Sequence, residues 1–163
     1  MSKTRKLAIS GILIAVGVVC APFSIPVGAA RCLPIQHMVN VLAAVILGPG
    51  YAVAMAFITS LIRVATGTGT LLAFPGSMVG ALCAGLMYKY GKKLGFAFVG
   101  EVVGTGIIGA MLAYPVATLL MGREAALFGF VVPFLVSTVG GSIIATIIII
   151  ALEKTGVMKK LRA

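Results

Sequence analysis

The chain has 163 residues, of which 61% are hydrophobic and only 10% are charged, and its mean hydropathy is +1.20. Because soluble domains carry about 25% charged residues, this composition excludes a water-soluble protein and indicates one that is dissolved in lipid. The net charge of +10 does not indicate a nucleic-acid-binding protein, since the basic residues lie in short patches between apolar runs rather than on one face beside aromatic residues. Cys20, Cys32 and Cys83 lie in or beside apolar stretches, which favours small core residues over disulfides.

Six apolar segments are candidates for crossing a bilayer, which takes a helix of about 20 residues. In chain order they are 7–23, 35–47, 51–66, 77–88, 94–121 and 125–152. The basic residues before the first segment imitate a signal peptide, but equally apolar segments follow, so we interpret it as the first membrane helix. The second and fourth segments, with 13 and 12 residues, are short. We expect them to be tilted, packed within the bundle, or extended by irregular segments.

The basic residues test this topology, because short cytoplasmic loops concentrate Lys and Arg. With six crossings and a cytoplasmic N-terminus, ten of the 13 basic residues lie inside, and only Arg31, Arg63 and Arg123 lie toward the outside. Five crossings would move the cluster around Lys89 outside and remove this asymmetry. The sequence therefore predicts an all-α integral membrane protein of the plasma membrane, with one six-helix domain over residues 1–163 and both termini in the cytoplasm.

Two loops on the predicted outer side mix Gly and Pro with apolar residues. They are residues 24–34 and 67–76. Irregular backbone at membrane depth is tolerated where it is buried in protein or lines a cavity, so these loops are candidate lids over an outward-facing pocket. Plain connectors are the alternative interpretation.

The second segment opens with three polar residues, Gln36, His37 and Asn40. A spacing of three or four residues puts Asn40 on one helical face with the other two. Together they offer donors and acceptors to a small polar molecule. A hydrogen-bond cluster that only holds helices together explains the pattern equally well.

Two ionisable residues lie within the predicted spans, where such residues usually face the interior or a watery cavity. Arg63 is expected to turn inward toward the pocket, although an Arg near a helix end also snorkels to the headgroups. Glu101 needs a cation or several donors if it is ionised, and both an ion pair with Arg63 and a protonated, hydrogen-bonded acid stay open. Phe74 in the second loop is a candidate to stack on a flat ring, and Tyr114 is a weaker candidate for the site.

Enzymatic patterns are scarce. The sequence has no Asp, one His, no phosphate-binding GxxxxGK[ST] and no HExxH, so we expect neither ATP hydrolysis nor catalysis by this chain. Cys32 and His37 alone are too few ligands for a metal site, and no metal or cofactor is expected. Two other classes stay open: a small intramembrane enzyme with His37 and Glu101 as acid and base, and a structural subunit that binds nothing small.

The first predicted helix carries small residues on one side, Ala8, Gly11 and Ala15. The step from Gly11 to Ala15 is a small-xxx-small pattern, which lets another helix approach closely. This face is a candidate for docking a partner protein, and packing within the chain's own bundle is the alternative.

Four strings together resemble the ThiW family. They are RCLPIQHMVN at 31–40, the LGP turn at 47–49, Arg63, and GTGTLLAFPGS at 67–77. The resemblance extends over nearly the whole chain. It implies a six-helix substrate-binding S component of an energy-coupling factor (ECF) transporter, which captures hydroxyethylthiazole, a thiamine precursor, from outside.

The resemblance also implies partners and a binding mode. S components dock through small residues of the first helix on a transmembrane coupling protein, and two cytoplasmic ATPases supply the energy. For a thiazole we expect His37 or Asn40 to donate to the ring nitrogen, Arg63 or Glu101 to engage the hydroxyl, and Phe74 to close the top. Another small heterocycle, such as hydroxymethylpyrimidine, is the alternative ligand.

Overall fold

The computed structural model describes residues 1–27 and 30–162, so Gly28 and Ala29 of the first predicted lid loop, and Ala163, lie outside the described residues. The described chain is helical apart from one small hairpin. The helices are α1 Lys3–Val19, α2 Pro34–Ile46, α3 Pro49–Ala65, α4 Ala73–Gly91, α5 Leu94–Leu120, α6 Val131–Lys154 and α7 Val157–Arg162. The hairpin strands, β1 Ile25–Val27 and β2 Ala30–Cys32, pair antiparallel with Ile25 opposite Cys32.

The short helix α2 is the centre of the bundle. It packs against α1, α3, α4, α5 and α6, and nine of its 13 residues are buried. Pro34 occupies its first turn, where a missing N–H costs nothing, and Gly48 with φ +91° makes the sharp turn into α3. Protein thus encloses this helix on nearly all sides.

Helix α5 contains two stretches of π-helix, Gly104–Gly109 and Val116–Leu120. The first begins directly after Val103, three residues beyond Glu101. The second follows Pro115, whose missing N–H interrupts the regular hydrogen-bond pattern. Glycines bring α5 close to α4: a Cβ added at Gly104 would lie 2.9 Å from Gly80 Cα. This small-residue contact is typical of packing between membrane helices.

The outside of the described bundle is apolar. Leu119 is 81% exposed and Ile147 is 63% exposed, and similar large side chains cover the outer faces of α1, α5 and α6. Two helices, Leu94–Leu120 and Val131–Lys154, are long and apolar enough to cross a membrane. Exposed apolar surface on this scale indicates contact with lipid or with another protein.

Several predicted boundaries were wrong. Helix α4 has 19 residues rather than the expected 12, because it begins at Ala73 and continues to Gly91. Its start lies inside the second predicted loop, which is therefore shorter than predicted. Helix α6 begins at Val131 rather than at Ala125. The first loop was expected to be irregular, but its described part forms the β1–β2 hairpin.

Candidate functional site

A cavity of about 500 Å³ opens at the end of the bundle where α3 ends and α4 and α6 begin. The hairpin, the start of α2 and the 67–70 segment also border it. The residues that line it are Pro26, Arg31, Leu33, Gln36, His37, Arg63, Gly67, Thr68, Gly69, Thr70, Leu72, Ala73, Gly76, Ser77, Thr105, Arg123, Phe134 and Ser137. The lining combines apolar side chains with a few convergent polar groups, as small-molecule sites do.

The wall formed by α2 and α4 is a buried amide and hydroxyl network. Gln36 Nε2 donates to Ser77 Oγ at 3.1 Å and to Asn40 Oδ1 at 3.3 Å. Asn40 Nδ2 lies 3.1 Å from Ser77 Oγ and 3.2 Å from the Ser77 carbonyl oxygen. Each group fixes the orientation of the next, so Gln36 is presented to the cavity in a defined rotamer.

Glu101 lies behind this wall and is completely buried. Its Oε1 is 2.9 Å from His37 Nδ1, 3.0 Å from Asn40 Nδ2 and 3.0 Å from Thr105 Oγ1. Its Oε2 has no hydrogen-bond partner among the described residues. Three polar side chains thus converge on one carboxyl oxygen, and these contacts fix the Glu101 side chain between α2 and α5.

Arg63 is held in the last turn of α3 and is only 2% exposed. Its backbone carbonyl accepts from the N–H groups of Thr68 and Gly69, each at 2.9 Å, and Gly67 has φ +73°. This is a Schellman-type helix end, which turns the following loop back over the helix. The guanidinium contacts Gln36, with Nη1 3.4 Å from Oε1, while its Nε has no described partner.

The hairpin is tied to α6 by two hydrogen bonds. Cys32 Sγ donates to the Pro133 carbonyl oxygen at 3.2 Å, and the Leu33 N–H donates to Ser137 Oγ at 2.7 Å. Burial raises the pKa of the Cys32 thiol, which keeps it neutral and able to donate. These bonds set the position of the chain that enters α2 and carries Gln36 and His37.

The residues singled out in the sequence fall into three groups. Gln36, His37 and Arg63 line the cavity, and Asn40 and Glu101 contact them from behind. Two others lie outside the lining. Phe74 packs on Phe57, with ring centroids 5.6 Å apart, and Tyr114 is half-buried in α5.

Three residues of this site escaped the sequence reasoning about chemistry. Ser77 joins Gln36 to Asn40, Thr105 bonds to Glu101, and Phe134 is the aromatic ring in the lining. The spacing of four between Glu101 and Thr105 puts both on one helical face, and this spacing was the available signal. Nothing in the sequence distinguished Phe134 from the other phenylalanines.

The small residues of α1 lie on an open face. Ala8, Gly11 and Ala15 are exposed, and a Cβ added at Gly11 would have no atom within 4 Å. This face is not used for packing within the described bundle.

In the described part of the chain, no group of three or more His, Cys, Asp or Glu side chains is arranged to hold a metal ion.

Comparison with known proteins adds the family. Residues 7–155 match the family model described as thiamine-precursor transporter protein (ThiW). No curated protein and no solved structure matches the chain. The family match extends over most of the sequence and includes every helix that borders the cavity. The resemblance seen in the sequence is thus confirmed, and the chain belongs to the ThiW family of thiamine-precursor transporter proteins.

Proposed function

We propose that this chain is the substrate-binding S component of an ECF-type transporter and that it captures hydroxyethylthiazole for uptake. The observation that carries the proposal is the cavity of about 500 Å³ with His37, Gln36 and Arg63 in its lining. That volume lies in the range of about 300–1,000 Å³ typical of small-molecule sites. The transporter family supplies the class of cargo.

The chemistry of a thiazole fits this lining. Its flat ring has an apolar face, for which Phe134 and Leu72 offer a wall, and a ring nitrogen that accepts a hydrogen bond. His37 and Gln36 are the groups placed to address the ring nitrogen and the hydroxyl. Asn40 and Glu101 act from behind, since their described hydrogen bonds go to Ser77 and His37. In this arrangement Phe134 takes the stacking role that the sequence assigned to Phe74.

We further propose six crossings of the plasma membrane with both termini in the cytoplasm. The support is the distribution of charge: ten of the 13 basic residues then lie inside, in agreement with the positive-inside rule. The cavity then opens outward, because it lies at the opposite end of the helices from Lys89 and Lys154. The enclosed position of α2 accounts for one span that is too short by length alone.

The energy for uptake would come from partners. The sequence lacks a phosphate-binding loop for ATP, so we assign hydrolysis to two cytoplasmic ATPases and force transmission to a transmembrane coupling protein. The exposed face with Ala8, Gly11 and Ala15 is the proposed docking surface, because small side chains allow close helix approach.

A thermal-shift screen of the detergent-solubilised chain tests the assignment. Hydroxyethylthiazole, hydroxymethylpyrimidine, thiamine and unrelated vitamins are compared, because a ligand raises the melting temperature of the state it binds. Stabilisation by hydroxyethylthiazole, lost in His37→Ala, supports the proposal. Stabilisation only by hydroxymethylpyrimidine would reassign the ligand within the same class, and the absence of any shift would contradict the receptor function.

Recovery of the ligand separates transport from catalysis. The His37–Glu101 pair, 2.9 Å apart, has the composition of an acid–base pair, so chemical change of a bound ligand is the outcome that would favour an enzyme. We expect mass spectrometry to return the ligand intact after long incubation. Uptake into proteoliposomes is expected only when the coupling protein and the ATPases are also present.

A further inference from the structure

Three arginines from distant parts of the sequence meet at one cavity. Arg31 comes from β2, Arg63 from the end of α3, and Arg123 from the segment after α5, and all three line the cavity. They are the basic residues that the charge pattern leaves outside the cytoplasmic patches. No Asp or Glu belongs to the described lining. Glu124, the neighbour of Arg123, is exposed and lies outside it.

Arg63 is the deepest of the three, and its charge is not balanced locally. An arginine side chain stays protonated in proteins and carries five N–H donors. The described contacts of Arg63 amount to one long hydrogen bond to Gln36, at 3.4 Å, and Nε is buried without a partner. Glu101 contacts His37, and no acidic side chain of the described residues forms an ion pair with Arg63. Burying an unpaired charge is costly, and an anionic group bound at Arg63 would offset this cost by pairing with the guanidinium.

The backbone holds Arg63 in place for such a ligand. The Thr68 and Gly69 N–H groups close the helix end on its carbonyl, at 2.9 Å each. Gly69 also packs so tightly that a Cβ there would lie 3.0 Å from Arg63 Cβ. A guanidinium fixed before the ligand arrives loses less freedom on binding, which favours affinity.

Arg31 and Arg123 differ from Arg63 because both are exposed. Arg31 Nη1 makes one weak contact with Ser24 Oγ, at 3.5 Å. Exposed charges at the mouth of a low-dielectric cleft raise the local concentration of an oppositely charged ligand and speed its association. The two outer arginines would attract an anion, and the buried Arg63 would bind it.

We propose that the preferred ligand of this cavity is an anionic thiamine precursor, a heterocycle that carries a phosphate ester or a carboxylate, with its anionic oxygens on Arg63. Guanidinium pairs with these two groups through parallel N–H···O bonds, a geometry that Lys does not provide. The ring then lies toward His37 and Gln36. This inference rests on the proposed function and deepens it, since hydroxyethylthiazole itself is neutral and leaves Arg63 unbalanced.

The test compares matched ligands on the full chain in detergent micelles. Isothermal titration calorimetry measures hydroxyethylthiazole, its phosphate ester, and the same ring with a carboxylate in place of the hydroxyl. We expect at least one anionic form to bind at least about tenfold more tightly than the neutral parent, the effect of one charge-assisted pair. That preference should shrink as salt is raised, because salt screens the exposed Arg31 and Arg123.

Variants then locate the effect. Arg63→Gln is expected to reduce the ratio of anionic to neutral affinity toward one, and Arg63→Lys to restore it only in part. Arg5→Gln, an exposed arginine on α1 at the other end of the bundle, is the matched control and should leave the ratio unchanged. The wild-type comparison of ligands needs no variant, so it decides the matter even if Arg63→Gln fails to fold.

The outcomes separate this inference from the proposed function. If neutral hydroxyethylthiazole binds as tightly as both anionic forms, or more tightly, at low salt, the anion site is refuted and the receptor function stands. If none of the thiazoles binds, the proposed function fails and the inference fails with it. An anionic preference that survives Arg63→Gln in a folded protein would also overturn the assignment to Arg63.

Discussion

His37 Nδ1 lies 2.9 Å from Glu101 Oε1, and this buried pair joins the central helix α2 to α5. An ionised carboxylate only accepts hydrogen bonds, so the Nδ1 proton points at Glu101 when that residue is charged. Nε2 is then the ring atom left for a ligand, and no described residue bonds to it. A neutral imidazole with its proton on Nδ1 accepts at Nε2, so we expect His37 to accept a hydrogen bond there from a donor group of a ligand.

Glu101→Gln tests this role. In the variant, the NH2 group of the side-chain amide would take the position of Oε2, which has no described partner. Its two hydrogens would then be buried and unpaired. We expect the free energy of unfolding to fall by about 1–3 kcal/mol. We expect ligand affinity to fall as well, because the amide oxygen left at the Oε1 position is a weaker acceptor than a carboxylate and holds the His37 ring less firmly. Denaturation in detergent and calorimetry measure the two effects.

Glu153→Gln is the control for this substitution, because Glu153 is exposed near the end of α6. It should change neither quantity appreciably. Wild-type stability together with wild-type affinity in Glu101→Gln would show that the carboxylate is dispensable for the network.

Two neighbouring glycines of α6 offer a matched pair. A Cβ at Gly141 would lie 2.7 Å from His37 Cβ and would overlap the Pro34 carbonyl oxygen, whereas a Cβ at Gly140 would approach Pro34 no closer than 3.8 Å. We expect Gly141→Ala to push α2 away from α6 and to cost about 1–3 kcal/mol of stability through overpacking. Ligand affinity should fall with it, because His37 is displaced from the cavity.

Gly140→Ala is expected to be neutral or to stabilise the protein by up to about 1 kcal/mol, the propensity of Ala over Gly within a helix. Thermal unfolding and ligand titration of both variants measure the contrast. Equal effects of the two substitutions would contradict the close approach of α2 and α6 at Gly141.

Much of this arrangement was predictable from local patterns. The spacing of Gln36, His37 and Asn40 predicted a polar face on α2, and the composition predicted helices with apolar outer surfaces. The hairpin was not predictable in this way, because Ile25–Val27 has only three residues and includes a proline, which is too short for strand periodicity to register.

Local sequence patterns could not predict which residues from distant parts of the chain line the same cavity. Arg31 and Arg123 are 92 positions apart in the sequence, and only the packing of the helices brings both to the cavity. The same holds for Phe134, whose position in the lining depends on α6 starting at Val131. Helix boundaries depend on tertiary contacts that outweigh intrinsic propensity.

The position of the hairpin against α6 predicts how fast the Cys32 thiol reacts. Cys32 is buried, and its burial raises its pKa, so at neutral pH less of it is thiolate than for an exposed cysteine. We expect maleimide to label Cys32 markedly more slowly than a cysteine placed at Ile25, its partner in the hairpin, which is 59% exposed. Each is measured as a single cysteine in a background with the other native cysteines replaced by serine.

Raising the pH should accelerate the labelling of Cys32 over a higher range than that of the Ile25→Cys variant, since its thiolate forms later. If Cys32 reacts as fast as the exposed cysteine at every pH, the hydrogen bond from Cys32 to Pro133 does not hold the hairpin on α6.

Substitutions on the open face of α1 test whether this face docks on a coupling protein. A Cβ added at Gly11 has no atom within 4 Å and the residue is exposed, so we expect Gly11→Leu to fold and to bind ligand with wild-type affinity. If this face docks on the coupling protein, the larger side chain prevents the close helix approach that small residues permit, and uptake in proteoliposomes with all subunits should be lost. Gly17→Leu is the contrasting variant, because a Cβ at Gly17 would lie 2.9 Å from Thr59 Cγ2 and the isolated chain itself should be destabilised. Full uptake by Gly11→Leu would place the docking surface on another face of the bundle.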